Sequence, residues 1–484
     1  WARAETLPYS GGLACRALLN AFGETPAHLP LILNGGGCAL ILDAAAGALH
    51  LFTDRMGVFP LYIASDGAGQ LICSHPDVLA ACLPASHIDP LSIAEVLAHG
   101  HGVHPHTHYR EVRQLDAGSH YRFDRNGRCT STRYWQPNYR ADSQPQTTSL
   151  LIDQMEAAIC QAVRHRTQAR LGKTGVFLSA GIDSRALLFP RCPDAELVGI
   201  TLFDEENAEL AGARALAASA GIEHLALRRD PEHYFLAARE SVRIAGGAWD
   251  ICDSHFLAAR QAILATGCTN LLSGCFADWL YKGLMFNKAA YTLLKRPLPI
   301  YRLSAPQPQW YAAHCVLTEP WGKSVRARAD EVWQLGLADL ASPRATWELG
   351  IRRIWPINRE ADILGRLILQ RAFPWDAINL DTGLLELLQD ISPAQMVSGN
   401  IWRQAVARIA APAGHVADNN IGAPVGASAA IRTAYFLKWT LHRRITGRDI
   451  GGTPLKGPSN RGSWPNYPYL ISHSRLLPEL WNTP

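Results

Sequence analysis

Val176-Phe177-Leu178-Ser179-Ala180-Gly181-Ile182-Asp183-Ser184-Arg185 is the stretch whose reading settles the fold class. An apolar strand runs into small residues and then directly into a helix start. Small residues let the backbone approach an anion closely, and the helix start offers N–H groups and the positive end of its dipole to phosphate. Ser179 and Ser184 add hydroxyl donors, and Asp183 adds a carboxylate suited to Mg²⁺, a hard cation that prefers oxygen ligands and substrate phosphates. The spacing is not GxxxxGK[ST], which disfavours a Walker-type ATPase. The competing reading is a strand–turn–helix corner that is merely rich in Ser and Gly.

Leu271-Leu272-Ser273-Gly274-Cys275-Phe276-Ala277-Asp278 repeats the design: an apolar strand ends in Ser-Gly, and a carboxylate follows four residues after Gly274. If both strands belong to one parallel sheet, their carboxyl ends place Asp183 and Asp278 on either side of one Mg²⁺–triphosphate. Taken alone, Asp278 reads equally well as a helix N-terminal carboxylate complementing the dipole.

Around these segments the pattern alternates. Helix is expected over Leu150–Arg164, strand over Gly175–Leu178, helix from Ser184 to Phe189 and strand over Leu197–Leu202. Helix Glu206–Ala220, strand His224–Arg228, helices Pro231–Ala245 and Ser254–Thr266, and strand Asn270–Ser273 continue it. Strands separated by helices imply a parallel, doubly wound sheet. From about Leu284 onward the reading is mainly helical, ending in the Pro/Gly-rich segment Gly451–Tyr469.

Up to about Gln136 the chain reads instead as short strands punctuated by turns: Leu31–Leu33, Ala39–Leu42, Ala48–Thr53, Leu61–Ala64 and Gln70–Ser74. Tyr121–Asp124 and Thr130–Trp135 flank an Asn126–Gly127 turn, a hairpin signal. Helices near Leu13–Phe22 and Leu91–His99 interrupt the strands, and the polar, Pro-containing Pro137–Thr148 reads as a linker. The expected fold is therefore α/β: an antiparallel α+β domain, then a doubly wound parallel-sheet domain with a helical C-terminal region.

At 484 residues two or more domains are expected, and 48% hydrophobic with 18% charged residues is ordinary globular composition. A net charge of +4 is mild, and a nucleic-acid partner would call for a stronger basic face. Eleven cysteines, an odd number without a CxxC pair, read as reduced thiols in a cytoplasmic protein. No apolar run is long enough to span a bilayer, and Trp1–Leu7 lacks the layout of a signal peptide.

The two motifs resemble the SGGxDS loop and the SGxGxD segment of asparagine synthetase-like enzymes of the ATP-pyrophosphatase (PP-loop) family. Thr53-Asp54-Arg55-Met56-Gly57-Val58-Phe59-Pro60-Leu61-Tyr62 is similar to the DRxGxxPLY turn of that family's glutaminase domain, which is of the N-terminal-nucleophile (Ntn) type. Ile88-Asp89 to Ala98 and Val112-Arg113-Gln114-Leu115-Asp116-Ala117-Gly118-Ser119 resemble the stretch joining its two domains. Roughly Tyr9–Gln136 and Leu150–Phe286 match in order. The resemblance implies a glutaminase-like, incomplete domain over 1–140 and a synthetase domain over 149–484.

It also implies a reaction. A carboxylate attacks the α-phosphorus of ATP, pyrophosphate leaves, and ammonia or an amine then attacks the acyl-adenylate. By matching positions, Leu178 and Ile200 would line the adenine pocket, and Ser179, Ala180, Gly181 and Ser184 would form the pyrophosphate loop. Ser273 and Gly274 would contact the nucleotide, and Asp183 and Asp278 would hold Mg²⁺. Partners would be a carboxylate-bearing small molecule or sugar acid and glutamine-derived nitrogen or ammonia, with a homodimer as the expected assembly.

The chain departs from the family in three places. The cysteine that would open the glutaminase domain is not in the sequence, which begins at Trp1; either a preceding segment is missing from it or the domain is a degenerate scaffold. Cys275 stands where asparagine-forming members carry a glutamate thought to assist amine attack, making it a third catalytic candidate beside Asp183 and Asp278, although a small buried filler is the competing reading. Phe276 replaces the following glycine. The lysine those members carry after the helical core has no safe counterpart.

These departures argue against aspartate as the substrate, and the resemblance to relatives of this shape implies sugar-acid amidation in surface-polysaccharide synthesis. The alternatives are an intramolecular amide cyclase of lactam or lasso-peptide type and a non-catalytic ATP-binding homologue. The substrate pocket is expected near Trp249, Asp250, His255 and Lys282. His99, His101, His104, His106 and His108 read as a solvated loop rather than a zinc site, and Lys438, His442, Arg443, Arg444 and Arg448 as a solvated helix face.

Overall fold

Seven short strands build the N-terminal part: β1 (Cys38–Asp43), β2 (Ala48–Thr53), β3 (Tyr62–Ser65), β4 (Gln70–Cys73), β5 (Arg113–Gln114), β6 (Ser119–Phe123) and β7 (Cys129–Arg133). The computed structural model describes residues 13–67, 69–99, 102–245, 254–293, 296–304, 318–333, 342–357, 363–449, 452, 454 and 464–481. One antiparallel sheet has the order β1-β2-β6-β7 and a smaller one the order β4-β3-β5. In β6 the buried Ser119, Tyr121 and Phe123 alternate with His120 and Arg122, the period of a half-buried strand. The β6–β7 hairpin turns at Asn126–Gly127, where the Asp124 carboxylate accepts from the N–H groups of Asn126 and Arg128, each at 2.9 Å.

Leu31–Leu33 departs from expectation: Leu29–Ile32 is a helical turn. Pro30 sits in its first turn, where a fixed φ suits a helix and the missing N–H costs nothing.

The second part is a parallel sheet. Its strands are β8 (Thr174–Phe177), β9 (Leu197–Phe203), β10 (Glu223–Arg228), β11 (Asn270–Ser273) and, after the hairpin β12 (Lys288–Leu293) and β13 (Arg296–Leu303), β14 (Trp375–Ala377). The order is β10-β9-β8-β11-β14, all parallel. The strands are covered on both faces, which is why they read as apolar runs. Val176, Leu178 and Leu197 join one core cluster with the helices Thr148–Arg166 and Ala208–Ala220. Val198, Ile200 and Leu202 point the other way, into a second cluster with Ile263, Ile368 and Phe373.

The region from about Leu284 onward is mainly helical, as expected, but not only helical. The β12–β13 hairpin and the fifth sheet strand β14 lie within it. Pro297 and Pro299 lie in β13 of a two-stranded ribbon, where edges tolerate missing donors. The expected helix over Ser254–Thr266 is shorter, a 3₁₀ turn Leu257–Ala259 continued by Arg260–Leu264. Of Gly451–Tyr469, only Gly452, Pro454 and Trp464–Tyr469 lie within the described residues.

A buried polar network runs from the N-terminal part to this sheet. Arg166, at the end of helix Thr148–Arg166, donates to Asp376 at 2.7 Å and Asp381 at 2.8 Å and is fully buried. Asn34 donates to the same Asp381 oxygen at 2.8 Å, and its own carbonyl accepts from the N–H of Thr382 at 2.8 Å. Burial opposes the charge of Asp381, but hydrogen bonds from His165, Arg166 and Asn34 and the charge of Arg166 outweigh it. They hold the carboxyl well below the usual range. The network fixes the segment 376–382, whose Asn379 reaches the site.

Candidate active site

The loops after β8 and β11 leave neighbouring strands at the same end of the sheet and meet there. A Cβ on Gly274 would fall 2.8 Å from Cβ of Asp183 and 3.0 Å from its carbonyl, so only glycine lets the two tips touch.

The first loop is held largely by its own side chains. The Ser184 hydroxyl donates to the carbonyl of Ser179 at 2.7 Å and accepts from the N–H of Ser179 at 3.2 Å. The two hydroxyls lie 3.1 Å apart, and Ser179 Oγ accepts from the N–H of Gly181 at 3.1 Å. Thr201 donates its hydroxyl to the carbonyl of Leu178 at 2.7 Å, fixing where the strand gives way to the loop. Behind it, buried Arg185 donates to the carbonyls of Ala180, Val416 and Ala417. Ala180 turns its methyl toward Gly212 of the helix behind and does not line the cleft.

The second loop is held from outside. Asn379 donates to the carbonyls of Gly274 at 3.0 Å and Cys275 at 2.6 Å, and Trp375 donates its indole N–H to Ser273 Oγ at 3.1 Å. Phe276 has φ +74°, the left-handed region, and among the described residues it is the one non-glycine residue there. The loop thus keeps the backbone a glycine would adopt, at a cost of roughly 1–3 kcal/mol. The buried Phe276 ring, packed edge-on to Trp375 at 6.4 Å, helps to hold it there. The turn delivers Asp278 into the helix Ala277–Leu280.

Both carboxylates converge on one ammonium. Lys282 Nζ lies 2.7 Å from Asp183 Oδ2 and 2.7 Å from Asp278 Oδ1, and the Trp402 indole donates to Asp183 Oδ1 at 2.8 Å. Burial lifts the Asp183 carboxyl above its ordinary value, with Asp278 adding to the rise and Lys282 and Trp402 opposing it. Burial also works against the Lys282 charge, but the two aspartates override it and hold the ammonium protonated, above its ordinary range.

The tips open onto a cleft of about 370 Å³. Leu178, Ser179, Asp183 and Ser184 line it from the first loop, Ser273 to Phe276 and Asp278 from the second, and Ile200 from β9. Phe177 stacks on Phe256 at 3.8 Å to form an apolar wall beside Leu202. His255 borders the cleft, Arg229 and Tyr234 pointing donors at its Nδ1, which leaves the proton on Nε2. Burial, then Arg229 and His233, drive its pKa well below the ordinary value, so the ring is neutral. Trp249 and Asp250 lie outside the described residues.

Residues 154–400, slightly more than half of the chain, match the family model for asparagine synthase. The chain belongs to the asparagine synthase family. Residues 9–135 match the glutamine amidotransferase domain. No curated protein matches the chain. A member with both domains is an ATP-dependent, amide-forming ligase that takes glutamine- or ammonia-derived nitrogen and a carboxylate acceptor. No described helix is long and apolar enough to cross a membrane.

In this asparagine synthase relative, several supporting residues escaped the sequence reading. Arg185 lies within the motif but binds carbonyls behind it, while Trp375, Asn379 and Trp402 lie more than a hundred residues from what they hold. Lys282 carried one usable signal, its spacing four residues after Asp278 on a helical turn. Of the loop histidines, His104 approaches the carbonyl of Leu115 and His108 approaches Asp77, while His101 lies outside the described residues. The basic stretch 438–448 begins on the helix Ala429–Thr446, where Arg443 pairs with Asp449 at 2.6 Å.

Proposed function

We propose that this ligase amidates a sugar acid of surface-polysaccharide synthesis through an acyl-adenylate. The observation that carries the chemistry is the contact between the two strand tips, which sets Asp183 and Asp278 on one cation. The acceptor carboxylate attacks the α-phosphorus of ATP and pyrophosphate departs. The amine then attacks the acyl carbon and AMP departs.

The chain's contribution is placement. Leu178 and Ile200 offer an apolar seat for adenine. Ser179, Gly181 and Ser184 form a loop already folded to receive pyrophosphate, and Ser273 and Gly274 close the other side of the nucleotide. Asp183 and Asp278 already converge on one cation, the ammonium of Lys282, which supports reading them as a pair of hard oxygen donors suited to magnesium. Asp183 and Asp278 would hold it together with phosphate oxygens, and it would neutralise polyphosphate charge. Cys275 presents a thiol to the cleft in place of a carboxylate. With the apolar wall of Phe177 and Phe256, this favours an acceptor other than aspartate, and we include Cys275 among the residues facing the acyl group. The domain division at 1–140 and 149–484 is part of the same reading.

The test is pyrophosphate release from ATP with a panel of uronic acids, aspartate and other carboxylates. Release is expected with a uronic acid and to vanish in Asp183→Ala. Full activity in that variant overturns the ligase site, and a preference for aspartate overturns the sugar acid.

A further inference from the structure

Lys282 occupies the position that the function above gives to a metal. Its placement is built rather than incidental. Gly399, at φ +63°, starts the helix Asn400–Ile409, and a Cβ there would meet Cβ and Cγ of Lys282 at 3.2 Å. The lysine stem therefore runs along a groove that glycine leaves open. Gly283, next in sequence, has its Cα face against the backbone of Val397, so the main chain beneath Lys282 is pinned as well. From this fixed stem Nζ reaches Asp183 and Asp278 at 2.7 Å each, while Trp402, on the same helix that Gly399 begins, takes the remaining Asp183 oxygen.

We propose that Lys282 is a resident counter-ion that a divalent metal must displace, so that the nucleotide-free carboxylate pair resists metal and accepts it only when a polyphosphate arrives to take over the ammonium. The inference rests on the assignment of Asp183 and Asp278 as the metal-holding pair. Its physical basis is charge. One ammonium already satisfies two carboxylates, and a dication entering beside it meets a like charge at close range. An incoming polyphosphate supplies several anionic oxygens on which a flexible lysine finds new partners, which removes the repulsion. Metal and nucleotide would then load together, and neither carboxylate would be left unpaired between turnovers.

The experiment is a titration of Mn²⁺ into nucleotide-free protein, followed by electron paramagnetic resonance. Lys282→Met is expected to bind Mn²⁺ at least about tenfold more tightly than the wild type, the equivalent of removing one partly screened like-charge contact. Lys282→Arg, which keeps the charge, is expected to stay as weak as the wild type. Thermal melts of each variant confirm that folded protein is compared. Equal Mn²⁺ affinity in wild type and Lys282→Met overturns the counter-ion proposal, provided that adding Asp183→Asn to Lys282→Met abolishes binding. If Mn²⁺ still binds that double variant with the same affinity, the aspartate metal site itself is wrong, and the proposal falls with it.

Discussion

Ser184 ties together both ends of the loop after β8, while the loop after β11 leans on Asn379 and Trp375, more than a hundred residues further along the chain. Both loops end strands of one sheet, both turn through small residues into a short helix, and both deliver an aspartate to the same ammonium. They differ in where their shape is stored. The first keeps it mostly in local hydrogen bonds between residues five apart or fewer. The second holds a phenylalanine in a glycine-like conformation and relies on tertiary contacts to keep it there. A loop of the first kind can be preformed in any sheet that supplies its strand, whereas one of the second kind is formed only when the whole domain is folded.

The largest effect should come where the first loop does depend on distant structure. Arg185→Ala leaves three carbonyls without their donor and a cavity beneath the loop, an expected loss of about 3–5 kcal/mol. Urea denaturation measures it, and a loss below about 1 kcal/mol would show that the loop supports itself without this anchor. Asn379→Ala should cost about 1–3 kcal/mol of stability, because two half-buried carbonyls lose their partner. Its effect on pyrophosphate release should be of similar size, roughly ten- to a hundredfold in kcat/KM, since the second loop would lose its register while the first stays intact. Pyrophosphate release at the wild-type rate would show that the second loop keeps its shape without this clamp and would erase the distinction between the loops.

Phe276 allows a finer measurement. Any truncation there empties a buried site, but Phe276→Gly should be more stable than Phe276→Ala by about 1 kcal/mol. That reverses the usual ranking of alanine over glycine, and the usual order in denaturation midpoints would mean that the left-handed backbone relaxes once the ring is gone. Smallest of all, Cys275→Ala should change stability by no more than about 0.5 kcal/mol, because its side chain is only half-buried and its carbonyl carries the clamp. If the same variant nevertheless loses pyrophosphate release, the thiol acts on the acyl group and is more than a filler.

The same division explains what could be read from the sequence. Ser179 to Ser184 carry their geometry in adjacent residues, so the strand and the small-residue turn were legible, and Asn270–Ser273 matched its strand to the residue; the helix that follows is Ile182–Arg185, earlier and shorter than the expected Ser184–Phe189. The alternation of elements implied one parallel sheet but not the order of its strands, so the adjacency of β8 and β11 comes from the structure. Trp375 to Ala377 was missed because three residues carry no period, and β13 because its two prolines argue against a strand unless it lies in a ribbon edge. Leu31–Leu33 was misread because a short apolar run suits either element. The roles of Lys282 and Trp402 depend on the helix Asn400–Ile409 packing against the loop, a relation that no local pattern announces.

Asn34 has a consequence for anyone who would exchange one nitrogen-delivering module for another on this scaffold. Its single amide completes both the acceptor needs of Thr382 and the donor set of Asp381, and that segment leads through Asn379 to the loop after β11. A grafted module without an amide at this spot would dock against an interior it does not satisfy. Recombination between relatives should therefore tolerate crossovers that carry the Asn34 loop and residues 376–382 as one inherited unit.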